Sequence, residues 1–258
     1  MLSFVGYFFS LMQLLYKIIS IPFSVIFYLI FGLTIVIFHP VQWICFNLFG
    51  YGAHKKSVDY LNWCLLRCLN LLGTVIKYEN YTTLPEKAPV IIVSNHQSQW
   101  DIPPIIWYLR KYHPKFISKK ELGKGIPSIS YNLRHGGSIL IDRKNPRQAI
   151  GEMLKFSKYL QKHNRAGVIF PEGTRSKTGE PKPFRRTGLE TLFKKLQNGY
   201  VIPVTINNSW KLQKWGMFPI PIFVKLRMTS HQAYLIGDYE VEELVNLVEE
   251  KITSEVKV

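Results

Sequence analysis

A chain of 258 residues has room for one domain and an appendage, and 33 Lys and Arg against 17 Asp and Glu leave it a formal charge of +16. Residues 1–50 contain Lys17 and no other charged residue, so a neutral apolar leader precedes a basic body. That split argues against a nucleic-acid partner, which would use the charge but not the leader, and for attraction to anionic lipid headgroups and phosphorylated substrates.

No charged residue occurs from residue 18 to residue 38, a length that matches the roughly 20 residues needed to cross a bilayer as a helix. The apolar core is too long for a signal peptide and no basic stretch precedes it. Pro22 and Pro40 are expected to break the run. Two membrane arrangements fit, one spanning helix over residues 18–38 or a hairpin or in-plane pair of helices sunk into one leaflet; a helical pair packed on the soluble body is disfavoured, because a globule of this size has no need of so uniform an apolar arm. His54, Lys55 and Lys56 follow, which places that side at the cytoplasmic face. The division expected is a membrane-embedded or membrane-associated segment over 1–50 and a catalytic body over 51–258. Cys45, Cys64 and Cys68 are too few for a disulfide framework, which indicates a reducing compartment. No second pair near Cys64 and Cys68 completes a zinc site.

Beyond the leader, a helix is expected over 58–72, stopped by Gly73, then a strand over 75–78 and a turn at Pro85-Glu86-Lys87-Ala88-Pro89. The all-apolar run 90–93 reads as a buried strand. A helix follows from Ile102, with Pro103 and Pro104 in its first turn. Then come a strand over 115–118, a partly helical stretch over 121–135 interrupted near Gly125, and a strand over 138–141. Asn145 caps a helix over 146–163 with Pro146 at its first position. A strand over 167–170, a helix over 187–197 ended by Asn198-Gly199, and a strand over 201–206 continue the alternation. A strand pair over 222–228 and 232–236 precedes a closing helix over 240–252, with Val241, Leu244, Leu247 and Val248 on one face. Such alternation predicts an α/β fold: a mixed, largely parallel sheet flanked by helices, behind an N-terminal apolar helical membrane-anchoring segment.

The stretch between the strand at 90–93 and the helix at 102 carries His96 and Asp101. Loops that follow sheet strands are where ligands bind in open α/β folds. A His beside a carboxylate can act as a general base: the carboxylate accepts the proton of one ring nitrogen, and the other nitrogen takes a proton from substrate. The same two residues could instead only tie down the loop. His96, Asp101, His113 and His135 lack the spacing of a helical metal site, so no metal is expected.

Four stretches in order carry a resemblance. They are Asn95-His96 with Asp101, Gly137-Ser138-Ile139-Leu140-Ile141-Asp142-Arg143, Phe170-Pro171-Glu172-Gly173-Thr174-Arg175-Ser176, and Val201-Ile202-Pro203-Val204. Together they resemble the motifs of the 1-acyl-sn-glycerol-3-phosphate (lysophosphatidic acid) acyltransferase family of glycerolipid acyltransferases. The resemblance implies transfer of a fatty acyl group from a thioester to the free hydroxyl of lysophosphatidic acid, giving phosphatidic acid. It implies His96 as general base and Asp101 as the group that orients it. Lys119, Arg143 and Arg175 would bind the acceptor's phosphate, with Lys120 able to replace Lys119. Glu172, Gly173 and Thr174 would contact the acceptor, although Glu172 could equally be a cap or a salt bridge to an Arg. Pro203 reads as structural, residues 182–186 as either a membrane or phosphate contact or a solvated loop, and Asp142 as a salt-bridge partner for Arg143.

A thiolate leaves readily, so no covalent enzyme intermediate is needed. The absence of a Gly-x-Ser-x-Gly elbow agrees. No cofactor is expected, only acyl-CoA or acyl carrier protein as thioester co-substrate. The other partners expected are a lysophospholipid acceptor and membrane lipids, with the active site facing the cytoplasm. Two alternatives are acylation of another lyso-lipid and a non-catalytic anionic-lipid-binding membrane protein.

Overall fold

The structure, a computed structural model, describes residues 2–84 and 87–257. Pro85 and Glu86, in the expected turn, lie outside the described residues. The chain opens with α1 (Leu2–Leu71), a helix broken once, at Gly50, where φ is 75° and ψ is −170°. A positive φ favours a residue without Cβ, so the sequence turns the helix at a glycine. Pro22 and Pro40 both sit inside the continuous helix, contrary to expectation. A proline removes one hydrogen bond but need not end an apolar helix whose other bonds and packing hold. The helix expected from residue 58 therefore begins directly after the Gly50 kink and runs to Leu71.

The first part of α1 is not a free rod. Ser20, Ser24, Phe27, Ile35 and Gln42 are buried, and Phe31 and Phe38 are half-buried. Steps of three and four residues put them on one stripe. That stripe lies on the body: Phe27 meets the ring of Trp100 edge-on at 5.3 Å, and the Ile220 amide donates to Ser24 Oγ at 2.8 Å. The Tyr16 hydroxyl donates to the Ile222 carbonyl. Elsewhere on the helix, Leu29, Leu33, Val36 and Leu48 are well exposed.

Eight strands follow: β1 (Val75–Asn80), β2 (Val90–Ser94), β3 (Lys115–Lys119), β4 (Ile139–Ile141), β5 (Ala166–Ile169), β6 (Tyr200–Asn207), β7 (Lys225–Ser230) and β8 (Tyr234–Leu235). Their order is β1-β7-β6-β2-β5-β3-β4. The five from β6 to β4 are parallel, while β7 runs antiparallel to β6 and carries β1 parallel to itself. The last two strands were expected to pair with each other. Both instead pair with β6, β7 at Val204–Asn207 and β8 at Tyr200 and Val201. They share one long edge in succession.

The buried strands alternate between two cores, as parallel strands covered on both faces do. Val90, Ile92, Val168, Ile202 and Val204 face α1 and α2 (Ile102–Tyr108). Ile91, Val93, Ile169 and Val201 face α4 (Pro146–His163), α5 (Arg186–Lys195) and α6 (Val241–Ser254). A short α3 (Ile129–His135) follows the expected break near Gly125. At Gly167 a Cβ would stand 2.7 Å from Leu160 and 2.8 Å from Phe156, so the close seat of α4 on β5 depends on that glycine.

Candidate active site

The ladder between β2 and β6 ends at Ser94 and Val204. The buried Asn95 side chain carries the pairing further: its Nδ2 donates to the Ile206 carbonyl at 2.8 Å, and the Ile206 amide donates to its Oδ1 at 2.7 Å. That clip fixes where the next residue, His96, leaves the sheet, at the C-terminal ends of the parallel strands. The His96 backbone is held on both sides, its amide donating to Glu172 Oε1 at 2.7 Å and its carbonyl accepting from the Ser176 amide at 2.7 Å. Its ring stacks on Phe170 with centroids 4.1 Å apart.

His96 Nδ1 lies 2.8 Å from Asp101 Oδ2. The same oxygen accepts the Gln97 amide at 2.7 Å and the Ser98 amide at 3.0 Å. Oδ1 accepts from the hydroxyl of Ser209, and from Ser98 Oγ at 3.4 Å. Asp101 is wholly buried, and a buried carboxylate needs such a set of donors. Ser98 also accepts the Trp100 amide, so Ser98 and Asp101 form a capping box on the short 3₁₀ turn Gln99–Asp101. The loop-tying role and the histidine-orienting role are thus performed by one carboxylate at once. Because Asp101 accepts at Nδ1, the proton belongs there and Nε2 is the acceptor nitrogen. Among the described residues Nε2 has no hydrogen-bond partner, and the ring is 17% exposed.

Glu172 is buried, and its two oxygens take the backbone amides of His96 and Lys182, the latter at 3.1 Å. Among the described residues it forms neither a helix cap nor an Arg salt bridge; it is a brace between two loops. Burial raises its carboxyl above the ordinary value, against the pull of those two amides. Gly173 has φ of 71°, and a Cβ there would stand 3.0 Å from Arg185 Nε. Arg143 donates to the Gly173 carbonyl, so Arg143 and Arg185 converge on one glycine. Partial burial and the Arg185 charge both lower the Arg143 pKa. Asp142 pairs with Lys120 at 2.5 Å rather than with Arg143, which the sequence reading had as its partner. Lys120 is thereby engaged, while Lys119, exposed at the end of β3 opposite Ile141, is not in an ion pair among the described residues. Arg175, exposed, donates to Gln213 Oε1 at 3.4 Å, and Thr174 is exposed beside it.

Residues 182–186 are partly solvated, with Pro183, Arg185 and Arg186 exposed, but the stretch is anchored. Phe184 is buried, Lys182 Nζ donates to the Arg175 carbonyl at 2.9 Å, and Arg185 covers Gly173. Ser209 and Gln97 went unsuspected. Gln97 bridges the Gly179 carbonyl and the Ser209 amide, at 3.1 Å each. Nothing local in the sequence pairs Ser209 with Asp101, 108 positions away.

The fold and this loop cluster define the class: the chain belongs to the Acyltransferase family, whose sequence profile matches residues 75–207. It is 43% identical over 126 residues to the 1-acyl-sn-glycerol-3-phosphate acyltransferase of Helicobacter pylori, covering 47% of this chain and 50% of that one. It is 30% identical over 169 residues to the enzyme of the same name from Saccharomyces cerevisiae, covering 60% and 53%. The chain therefore spans about half the length of these two relatives. Its fold is similar to the crystal structure of the 1-acyl-sn-glycerophosphate (LPA) acyltransferase PlsC from Thermotoga maritima, with a TM-score of 0.74 and 25% identity over 93% of this chain and 95% of that one.

Proposed function

We infer that the chain transfers a fatty acyl group from an acyl thioester, carried by CoA or acyl carrier protein, to the free hydroxyl of lysophosphatidic acid. The observation that carries this reading is the 2.8 Å contact between His96 Nδ1 and the buried Asp101, with Nε2 left without a protein partner. Nε2 accepts the acceptor's hydroxyl proton as the oxygen attacks the thioester carbonyl. The tetrahedral intermediate collapses with loss of the C–S bond, and the imidazolium returns its proton to the departing thiolate. His96 serves as base and then as acid, and the products are phosphatidic acid and free thiol. Arg143, Arg175 and Lys119, with Arg185 beside Arg143, supply positive charge for the acceptor's phosphate. Gly173 and Thr174 lie on the loop between those arginines, and Glu172 acts on the acceptor through the backbone of His96 rather than by touching it.

The bilayer is the source of the acceptor lipid. The buried stripe on α1 supports one unbroken helix, rather than the expected pair, lying along the body from Tyr16 to Gln42 with its exposed apolar side in one leaflet. Trp215, Met217 and Phe218 sit beside that helix, and Met217 and Phe218 are exposed, which extends the apolar face. The site then meets the cytoplasmic side. Thiol release measured with acyl-CoA and a panel of lyso-acceptors tests the reading. Turnover with lysophosphatidic acid above all others is expected, and a folded His96→Ala protein that keeps near-normal turnover would overturn it.

A further inference from the structure

At the opposite ends of the parallel strands lies a second cluster of ionisable groups that acyl transfer does not use. Just past the Gly50 kink, α1 turns Tyr51, His54, Lys55 and Asp59 toward Lys115, the first residue of β3, and Arg165, the residue before β5. His54, Lys55, Asp59, His113, Lys115 and Asn132 line a cavity of about 10 Å³. That is room for the centre of one water-sized sphere.

The charges in and around it do not balance. Lys55, Lys115 and Arg165 face a single carboxylate, Asp59, and Lys55 already holds it at 2.5 Å. The Arg165 guanidinium lies 3.6 Å from the Tyr51 ring centroid and donates to the Tyr159 hydroxyl. Lys115 is 6% exposed and makes no hydrogen bond or ion pair among the described residues, its ammonium standing 5.1 Å from the same ring centroid. His54 is 1% exposed, and neither of its ring nitrogens has a partner. An imidazole buried with neither ring nitrogen bonded is costly, and the Lys115 ammonium beside it has no ion-pair partner among the described residues. A metal cation would add to the excess charge. One small anion satisfies both unpartnered groups together.

We propose that this cavity binds a monovalent anion of chloride size, held by the Lys115 ammonium and a ring N–H of His54, with the Asn132 amide on its wall. The anion ties the helix beyond the Gly50 kink to the base of β3 and β5. It also reverses a strain on protonation: burial, Arg165 and Lys55 lower the Lys115 pKa to about 7, with Asp59 opposing. Burial with Lys115 and His135 takes His54 to about 4, and burial with Lys55, Lys115 and Arg165 takes His113 to about 4. Binding an anion beside Lys115 favours its charged form, so anion and proton bind together, and the anion is held more tightly as pH falls toward about 7 and at a constant, highest affinity below it.

The test is thermal unfolding of the detergent-solubilised full chain at pH 6 in sodium chloride, sodium bromide or sodium gluconate of equal ionic strength. Halide at several times its Kd is expected to raise Tm by about 2–4 °C over gluconate, and Lys115→Met is expected to remove that difference. Equal Tm in all three salts, or the same halide increment in the variant, overturns the proposal. Crystals of the unsubstituted protein soaked in bromide give an independent decision: an anomalous peak in the cavity supports the site, and water alone there refutes it.

Discussion

At the C-terminal ends of the strands, Asp101 is wholly buried and accepts from His96, two backbone amides and two hydroxyls; at the N-terminal ends, Lys115 is 6% exposed and makes no hydrogen bond or ion pair among the described residues. The two regions show what it takes to keep a charge inside a protein. Around Asp101 each donor has a second anchor: Gln97 spans two loops, Ser98 caps a turn, and Glu172 grips the backbone of His96. That redundancy leaves His96 Nε2, on a ring that is 17% exposed, without a partner among the described residues, and it is there that the proposed proton transfer falls. Around Lys115 no such surplus of partners exists, and the unused valency is a charge rather than a lone pair. A buried polar cluster is therefore informative by what it leaves unsatisfied.

Breaking the first region should have the largest consequences. His96→Ala removes the proton acceptor and is expected to lower kcat by about 10²–10⁴-fold with little change in KM, read by thiol release. Asp101→Asn is expected to cost nearly as much activity and, unlike His96→Ala, stability as well. Its amide NH2 would confront the donors that Asp101 now accepts from, leaving buried groups unpaired at about 1–3 kcal/mol. Urea unfolding alongside the activity assay separates the two variants: equal stability of Asp101→Asn and the unsubstituted protein would show that the carboxylate does not hold the loop. Charge removal at Arg143 or Arg175 should act on acceptor KM, by about 10–100-fold, leaving kcat for saturating acceptor largely intact. Arg143→Gln with an unchanged KM would take the pair around Gly173 out of phosphate binding.

How much of this was visible in the residues depends on the range over which each contact acts. His96 and Asp101 are five positions apart within one turn-forming stretch, so their meeting could be read from the chain. The apolar run at 90–93 and the strand–helix alternation likewise announce a parallel sheet, because burial on both faces leaves a local pattern. Pairings over a hundred positions leave none: Asn95 on Ile206 and Ser209 on Asp101 exist only once β2 and β6 lie side by side. Uniformity hid the stripe on α1, since a helix apolar all round shows no preferred face until Ser20, Ser24 and Gln42 are found against the body. Asp142 was read against its neighbour Arg143, and only the register of β3 against β4, which sets Lys119 opposite Ile141, brings Lys120 to it from 22 positions away.

The smallest effect distinguishes the second region from the first by the direction of its pH dependence. Lys115 is less basic folded, at about 7, than its ordinary 10.5 when unfolded. Between those values the unfolded chain binds the extra proton, so stability from this group rises with pH across the window and is at its lowest below about 7. In gluconate, where no small anion offsets the charge, Lys115→Met is thus expected to unfold at a higher temperature than the unsubstituted protein. The gain should be greatest below pH 7 and vanish toward pH 10.5, where neither state carries the ammonium. Chloride should shrink the gain at low pH by stabilising only the unsubstituted protein. A variant less stable at every pH would mean that the Lys115 methylenes and their packing matter more than its charge, and would place the ammonium in contact with water rather than in the cavity.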